Sequence, residues 1–146
     1  MKARNRKRFS AALSSALTLL FAVAFLTMAF LALIISLQFF AKFLLAAAIP
    51  FLLVSLLRFL IRAERPATAG KRAKEKNSFP SRHSYSGFFI ATVSFLFFRP
   101  SISYALLAFA VLLATARVLS GKHYPRDVVA GAFLGVIFGT VTLLLF

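Results

Sequence analysis

The stretch Asn77-Ser78-Phe79-Pro80-Ser81-Arg82-His83-Ser84 joins a basic, polar segment to a long apolar run. It places a histidine, an arginine and several hydroxyls beside a proline, where a membrane helix would begin. Polar and ionisable groups are expensive at membrane depth, so this arrangement points to a functional site. Two further polar clusters, residues 58–66 and 117–127, also lie where apolar runs end or begin. We therefore expect the three clusters to meet in one site.

The composition identifies the class of protein. The chain has 146 residues, of which 61% are hydrophobic and only Glu64, Glu75 and Asp127 are acidic. Several of its apolar runs approach the roughly 20 residues that one bilayer span requires. The pattern predicts an integral membrane protein with a single domain, residues 1–146. Cysteine is absent, which excludes disulfides.

The apolar runs predict an all-α, multi-pass transmembrane bundle of about five spans. The spans are expected at residues 10–37, 43–61, 83–98, 102–119 and 127–146. Residues 38–42 are expected to form a short turn, and residues 67–77 a polar loop. Gly131, Gly135 and Gly139 recur every four residues on the last span. Since small residues allow helices to approach closely, we expect this face to pack within the bundle, with dimerisation as the alternative.

The basic residues suggest a membrane surface as the partner. The net charge of +15 could indicate nucleic acid, but the basic residues cluster at the ends of apolar runs. That placement fits anionic lipid headgroups and topology signals, and we expect no nucleic acid partner. With five spans, sixteen of the 18 Lys and Arg residues fall on one side, leaving only Lys42 and Arg99 opposite. The positive-inside rule then places the N-terminus and the three clusters on the cytoplasmic face of the cell membrane.

His123 and Asp127 in the third cluster are candidates for acid–base or nucleophilic chemistry. They are four residues apart, and a helix beginning near Pro125 would bring the carboxylate within reach of the imidazole. A carboxylate on one ring nitrogen fixes the tautomer and leaves the other nitrogen as a base or nucleophile. In the alternative interpretation, Asp127 only caps the helix and neutralises Arg126 or Lys122.

The other two clusters are suited to binding an anion. In Pro80-Ser81-Arg82-His83, successive backbone N–H groups at a helix start would face an anion, helped by a hydroxyl and a cation. The alternative is an ordinary capped helix with an interfacial histidine. Arg58 and Arg65 are seven residues apart and so lie on one helix face. Their alternative role is to extend towards the lipid headgroups.

Taken together, the clusters supply several cations, two imidazoles and one carboxylate. Positioning and charge neutralisation provide much of the catalysis of phosphoryl transfer, so this inventory favours such a transfer through a histidine. With two histidines, three acidic residues and no thiol, a structural metal site is not expected.

The spacing of the clusters resembles the three-part signature of the type 2 phosphatidic acid phosphatase superfamily, KxxxxxxRP, PSGH and SRxxxxxHxxxD. The chain has Arg58, six residues, then Arg65-Pro66, followed by Pro80-Ser81-Arg82-His83. The third part is Ala116-Arg117, five residues, His123, three residues and Asp127. All three parts occur in the family's order and with its internal spacing.

The resemblance implies a role for each residue of the signature. His123 would be the nucleophile that forms a phosphohistidine, Asp127 would hold it, and His83 would protonate the leaving oxygen. The phosphate would be held by Arg58, Arg65, Ser81, Arg82 and Arg117. No metal or cofactor is implied. The substrate would be a lipid phosphate, such as undecaprenyl diphosphate, phosphatidylglycerol phosphate or phosphatidic acid.

Three positions depart from the signature. Arg58 replaces lysine, Arg82 replaces glycine and Ala116 replaces serine. None of these changes removes a chemical role, so we expect activity with an altered substrate fit. The chain is also expected to have one N-terminal span fewer than six-span members, which turns the site inward. The substrate and the oligomeric state stay open, and the alternative is an inactive relative, either a lipid-phosphate-binding or a small pore-type membrane protein.

Overall fold

The computed structural model describes residues 2–72, 74 and 76–146. The chain forms five α-helices: α1 (Lys2–Ile35), α2 (Leu37–Ile61), α3 (Arg82–Val93), α4 (Pro100–Leu119) and α5 (Pro125–Leu145). Two short 3-10 helices cover Ala67–Arg72 and Ser94–Leu96. The described residues contain no β-strand. The predicted all-α, multi-pass class is confirmed.

Four of the helices are long and apolar enough to cross a membrane, namely α1 (over Asn5–Ile35), α2, α4 and α5. The third predicted span, residues 83–98, is shorter than expected. Its α-helix, α3, has only 12 residues, about 18 Å at the usual rise. The helix tightens where the Ser94 hydroxyl donates to the Ala91 carbonyl at 2.6 Å. α3 is instead a short inner helix, with eight of its residues buried.

The turn predicted at residues 38–42 is wrong, because all five residues belong to α2. The chain reverses at Ser36 alone, which is extended at φ −172° and ψ 158°. The Ser36 hydroxyl accepts a hydrogen bond from the Phe39 N–H at 3.0 Å and so caps α2. Phe25 of α1 then stacks on Phe43 of α2 with ring centroids 5.6 Å apart, which shows that α1 and α2 form a helical hairpin.

The glycine face of α5 packs on α3, which confirms the packing predicted within the bundle. A Cβ atom at Gly135 would lie only 2.5 Å from the Tyr85 carbonyl oxygen, and one at Gly139 only 2.7 Å from the Thr92 Cβ. The α3 backbone and the Thr92 side chain thus occupy the space that side chains on α5 would need. This close approach sets the position of Asp127, at the start of α5, relative to the start of α3.

The hairpin and the following helices bring the three polar clusters to one end of the bundle. The ends of α2 and α4 meet the starts of α3 and α5 there, and the Ser81 N–H donates to the Asp127 carbonyl at 2.8 Å. The predicted polar loop is partly ordered as the 3-10 helix Ala67–Arg72, and Thr68 donates to the Gly121 carbonyl at 3.2 Å. Residues 73 and 75 of that loop lie outside the described part of the chain.

Candidate active site

Asp127 is placed by the first turn of α5. Pro125 begins the helix and Tyr124 is its N-cap residue. The Asp127 Oδ2 accepts the Tyr124 N–H at 3.0 Å, completing a capping box, and lies 3.6 Å from the Nδ1 of His123. Its side chain is fully buried. Asp127 therefore does cap the helix, as the alternative interpretation held, and it also faces the imidazole.

Ser78 links His123 to Asp127. Its Oγ lies 3.4 Å from the His123 Nδ1, and its hydroxyl donates to the Asp127 Oδ2. Ser78 is fully buried, and its backbone N–H donates to the Ala63 carbonyl at 2.9 Å. An imidazole whose Nδ1–H points at this hydroxyl and carboxylate keeps its lone pair on Nε2. The contact thus orients His123 as a base or nucleophile through Nε2.

The surroundings of His123 keep it neutral. His123 lies in the loop between α4 and α5 and is only 3% exposed. Its pKa is lowered from 6.5 to about 3, first by burial and then by the positive charges of Arg117, Arg65 and Arg58, in that order. A hydrogen bond with the Ser78 backbone acts in the opposite direction. At neutral pH the ring therefore carries the lone pair that a nucleophile needs.

Arg58 and Arg65 both point into the protein. Arg58 donates from Nη1 to the Pro80 carbonyl at 2.7 Å and to the Ser78 carbonyl at 3.4 Å. Arg65 donates to the Lys122 carbonyl, next to His123, at 3.2 Å. The two arginines are 6% and 7% exposed, so they do not extend to the headgroups as the alternative proposed. They fasten the end of α2 to the segments that precede α3 and α5.

Arg117 and His83 are in direct contact. The Arg117 Nη2 lies 3.1 Å from the His83 Nδ1, while Nη1 donates to the Ser14 Oγ at 3.2 Å. A guanidinium can only donate, so Nδ1 of His83 accepts and the proton of the neutral ring lies on Nε2. Arg117 also lowers the pKa of His123, which places the charge of Arg117 near both histidines.

Ser81 and Arg82 differ in their surroundings. Ser81 is fully buried and caps α3, its Oγ accepting the Ser84 N–H at 3.5 Å. Arg82 is exposed, and its guanidinium carbon lies 6.0 Å from the centroid of the Phe51 ring on α2. The Arg82 side chain thus contacts α2 and not the His123–Asp127 pair.

Three residues of this arrangement were given no role from the sequence. Ser78 joins His123 to Asp127, Asn77 accepts from Arg65 at 3.2 Å, and Ser14 accepts from Arg117. Asn77 and Ser78 lie in the polar stretch that opens the second cluster, and that position was their only signal. Ser14 lies inside an apolar run, where a serine is indistinguishable from one that bonds to its own helix.

A family model described as the PAP2 superfamily matches residues 22–146. The chain belongs to the PAP2 superfamily. Among curated proteins, a lipid A 1-phosphatase of Rhizobium johnstonii is 43% identical over 70 residues, which are 47% of this chain and 28% of that protein. The bacitracin transport permease protein BcrC of Bacillus licheniformis is 48% identical over 62 residues, 42% of this chain and 30% of that protein. The chain thus spans less than a third of the length of these relatives.

The fold of this PAP2 chain also matches a solved structure. The crystal structure of Aquifex aeolicus LpxE superimposes with a TM-score of 0.71 at 25% sequence identity, covering 94% of this chain and 84% of that one. The similarity therefore extends over almost all of this chain, including the helices before the matched signature.

Two cavities adjoin the polar end of the PAP2 bundle. The larger, of about 710 Å³, lies between α1, α2 and α3 and is lined mostly by apolar side chains, with Arg82 and His83 also in its wall. The smaller, of about 360 Å³, is lined by Ser55, Arg58, Phe59, Arg62, Lys76, Asn77 and Arg82. Arg82 borders both cavities. An apolar chain in the larger cavity would therefore have its polar end near His83.

Proposed function

We propose that the protein is a membrane phosphatase that removes a phosphate from a lipid phosphate or diphosphate through a phosphohistidine on His123. The buried contact of His123 with Ser78 and Asp127, near three arginine charges, carries this proposal. Membership of the PAP2 superfamily and the relatives named lipid A 1-phosphatase support it.

In the first step, the Nε2 lone pair of His123 attacks the terminal phosphorus, and the bond from that phosphorus to the leaving oxygen of the lipid or lipid monophosphate breaks. Asp127, through Ser78, holds the Nδ1–H and stabilises the positive charge that develops on the ring. Arg58, Arg65 and Arg117 lower the pKa of His123, so their charges lie close enough to offset the negative charge of a phosphate beside it. Ser81 and the N–H groups that begin α3 supply further donors.

His83 supplies the proton for the leaving lipid oxygen. Its Nδ1 accepts from Arg117, so His83 can take a second proton only when Arg117 turns away. A bound phosphate dianion favours both changes, since it attracts the guanidinium and stabilises an imidazolium. Water then attacks phosphorus, His83 accepts a proton of that water, the bond from phosphorus to Nε2 breaks, and inorganic phosphate leaves. These steps use side chains alone, and the proposed reaction is independent of metals.

The lipid tail is proposed to occupy the apolar cavity between α1, α2 and α3, which has His83 in its wall. Candidate substrates are undecaprenyl diphosphate, phosphatidylglycerol phosphate and phosphatidic acid. The name lipid A 1-phosphatase adds a lipid phosphate of another kind. We place the site on the cytoplasmic face, because the basic residues of the chain are concentrated at this end of the bundle.

The proposal is tested by phosphate release from a panel of these lipids, with the purified protein and a chelator present. Wild type is compared with His123→Ala and His83→Ala, and with Arg99→Gln as a control at the other end of the bundle. We expect His123→Ala to lower kcat by at least about 10³-fold and His83→Ala by about 10²–10⁴-fold. Acid quenching during turnover should trap a phosphorylated histidine in wild type and none in His123→Ala.

Retention of activity in folded His123→Ala would contradict the mechanism. Chelator-sensitive release would contradict the metal-independent step. No release from any lipid by folded wild type would favour the alternative of a non-catalytic protein that binds lipid phosphates.

A further inference from the structure

The smaller cavity, which we call the basic pocket, is defined by Ser55, Arg58, Phe59, Arg62, Lys76, Asn77 and Arg82. Four of its seven lining residues are cationic. In the part of the chain that the structure describes, no aspartate or glutamate lines it. Glu64 pairs with Lys76 at 4.0 Å, but both side chains are more than two-thirds exposed and the pair neutralises little. The basic pocket therefore has a strong positive potential.

The wall contributed by α2 is a polar stripe. Ser55, Arg58 and Arg62 follow at intervals of three and four residues, so they lie on one face of the helix end. The Ser55 Oγ is buried and has no hydrogen-bond partner among the described residues. A serine within a helix usually donates to the carbonyl four residues earlier. Ser55 does not, and its hydroxyl is a donor available to a ligand in the pocket.

Arg62 ends α2 in a conformation that few residues other than glycine adopt, with φ 48°. Its backbone N–H donates to the Arg58 carbonyl at 3.3 Å, and its guanidinium carbon lies 5.4 Å from the Phe59 ring centroid. The left-handed turn ends the helix at Ile61, and the Arg62 side chain lies in the pocket wall against Phe59. The cation is thus held at the wall of the pocket.

The basic pocket borders the candidate active site without including its histidines. Arg58 lines the pocket and also donates to the Ser78 and Pro80 carbonyls. Asn77 lines the pocket and accepts from Arg65, which in turn donates to the carbonyl of the residue before His123. Neither His83 nor His123 is in its wall. A group in the pocket would therefore lie beside the reacting phosphate, not on the nucleophile.

We propose that the basic pocket is a second phosphate-binding site. Its chemistry, with several cations and hydroxyl and amide donors, suits a phosphate monoester, diester or diphosphate group. The group has two sources: the second phosphate of a diphosphate substrate, which rests on the proposed function, or the headgroup of a neighbouring anionic phospholipid, which does not. In both cases Arg82, which borders the apolar cavity, contacts the phosphate in the basic pocket on the side from which the lipid chain extends.

The test compares wild type with the double variant Arg62→Gln/Lys76→Gln. The matched control is Lys42→Gln/Arg99→Gln, which makes the same charge change with exposed residues at the opposite end of the bundle. Binding of methylphosphonate and of methylenediphosphonate, which no phosphatase cleaves, is measured calorimetrically in neutral detergent. Lipid dependence is measured as the thermal unfolding midpoint in nanodiscs of phosphatidylcholine with and without phosphatidylglycerol.

If the basic pocket holds the second phosphate of a diphosphate substrate, the pocket variant should bind methylenediphosphonate about tenfold more weakly than wild type does. Its binding of methylphosphonate should be unchanged. If the pocket instead holds the headgroup of a neighbouring phospholipid, the pocket variant should lose only the rise in unfolding midpoint that phosphatidylglycerol gives. Arg82→Gly should repeat the same loss in either case. The proposal is overturned if the pocket variant equals the control in every measurement. It is also overturned if the pocket variant binds both phosphonates more weakly by the same factor, since that indicates a general loss of positive electrostatic potential.

None of these measurements requires turnover. A protein that releases no phosphate from any lipid, yet loses diphosphonate binding in the pocket variant, would contradict the proposed reaction and keep the second site. If wild type releases phosphate and the pocket variant binds the diphosphonate as the control does, the proposed reaction is supported and the second site is contradicted.

Discussion

Ser78 is fully buried and contacts both His123 and Asp127, and the His123 Nδ1 lies 3.6 Å from the Asp127 Oδ2. That separation is too long for a direct hydrogen bond. The serine hydroxyl can bridge it by accepting from Nδ1–H and donating to the carboxylate. Ser78 is thus a positioning residue for His123 in the proposed reaction.

Ser78→Ala should lower kcat by up to about 10²-fold while KM changes little, because a small misplacement of a reacting group costs about this much. The control is Ser84→Ala, since Ser84 is equally buried and its Oγ has no hydrogen-bond partner among the described residues. Steady-state kinetics on a lipid phosphate would measure both variants. Equal kcat values for the two would show that the bridge does not orient the nucleophile.

The pKa of His123 gives a prediction for its protonation. Burial and nearby arginines lower this pKa to about 3, whereas an unfolded histidine titrates near 6.5. The ring should therefore stay neutral down to about pH 4 in the folded protein. Because the chain has two histidines, ring-labelled His83→Asn contains only His123, and its NMR titration reports this one group. A midpoint near 6.5 would contradict the prediction.

The same pKa difference links stability to pH. Between pH 6.5 and about 3 the unfolded chain binds a proton at this position that the folded chain does not. The contribution of His123 is therefore fully present above pH 6.5 and is lost as the pH falls towards 3. Replacing His123 by asparagine should flatten this part of the stability curve, which thermal unfolding in detergent would measure.

At the scale of elements, the contact between α3 and α5 sets the site. Gly135→Ala would push a methyl group against the Tyr85 carbonyl oxygen, 2.5 Å away, and against the Phe88 Cβ, 2.9 Å away. We expect a loss of about 1–3 kcal/mol in unfolding free energy, together with reduced activity, since α5 carries Asp127. Thermal unfolding in detergent would measure the loss.

The control for this change is Gly87→Ala on α3, where the added Cβ would meet the flexible end of Leu113 at 3.2 Å. That contact can relax, and alanine favours the helix by about 0.5–1 kcal/mol. Gly87→Ala should therefore be near neutral. A similar unfolding midpoint for the two variants would contradict the close packing of α5 against the backbone of α3.

At the scale of the whole molecule, the distribution of charge predicts the orientation in the membrane. Because the chain has no cysteine, Lys74→Cys and Arg99→Cys each introduce a single thiol. Both residues are exposed and lie towards opposite ends of the bundle. An impermeant thiol reagent applied to intact cells should label Arg99→Cys and spare Lys74→Cys. Labelling of Lys74→Cys alone would place the candidate site on the outer face.

The helices were predictable because a bilayer demands long apolar runs, and these are visible locally. The residues at which the helices begin and end were harder to predict. Gln38 and Lys42 interrupt the hydropathy and suggested a turn, yet the reversal depends on the Ser36 cap. The apolar run after His83 continues to residue 98, but α3 ends at Val93. A polar residue within an apolar run shows that the hydropathy changes there. It does not show which backbone group its side chain will hydrogen-bond, and that bond decides where the helix ends.

By itself, the sequence determined the membrane class, the helical bundle and the meeting of three polar clusters at one end, because spacing and hydropathy are properties of neighbouring residues. Only the tertiary structure decided that Ser78 bridges His123 and Asp127, that Ser14 meets Arg117 and that Arg82 borders two cavities. Ser14 and Arg117 are 103 positions apart. Such contacts depend on how closely helices pack, as the glycine face of α5 shows where it lies against α3.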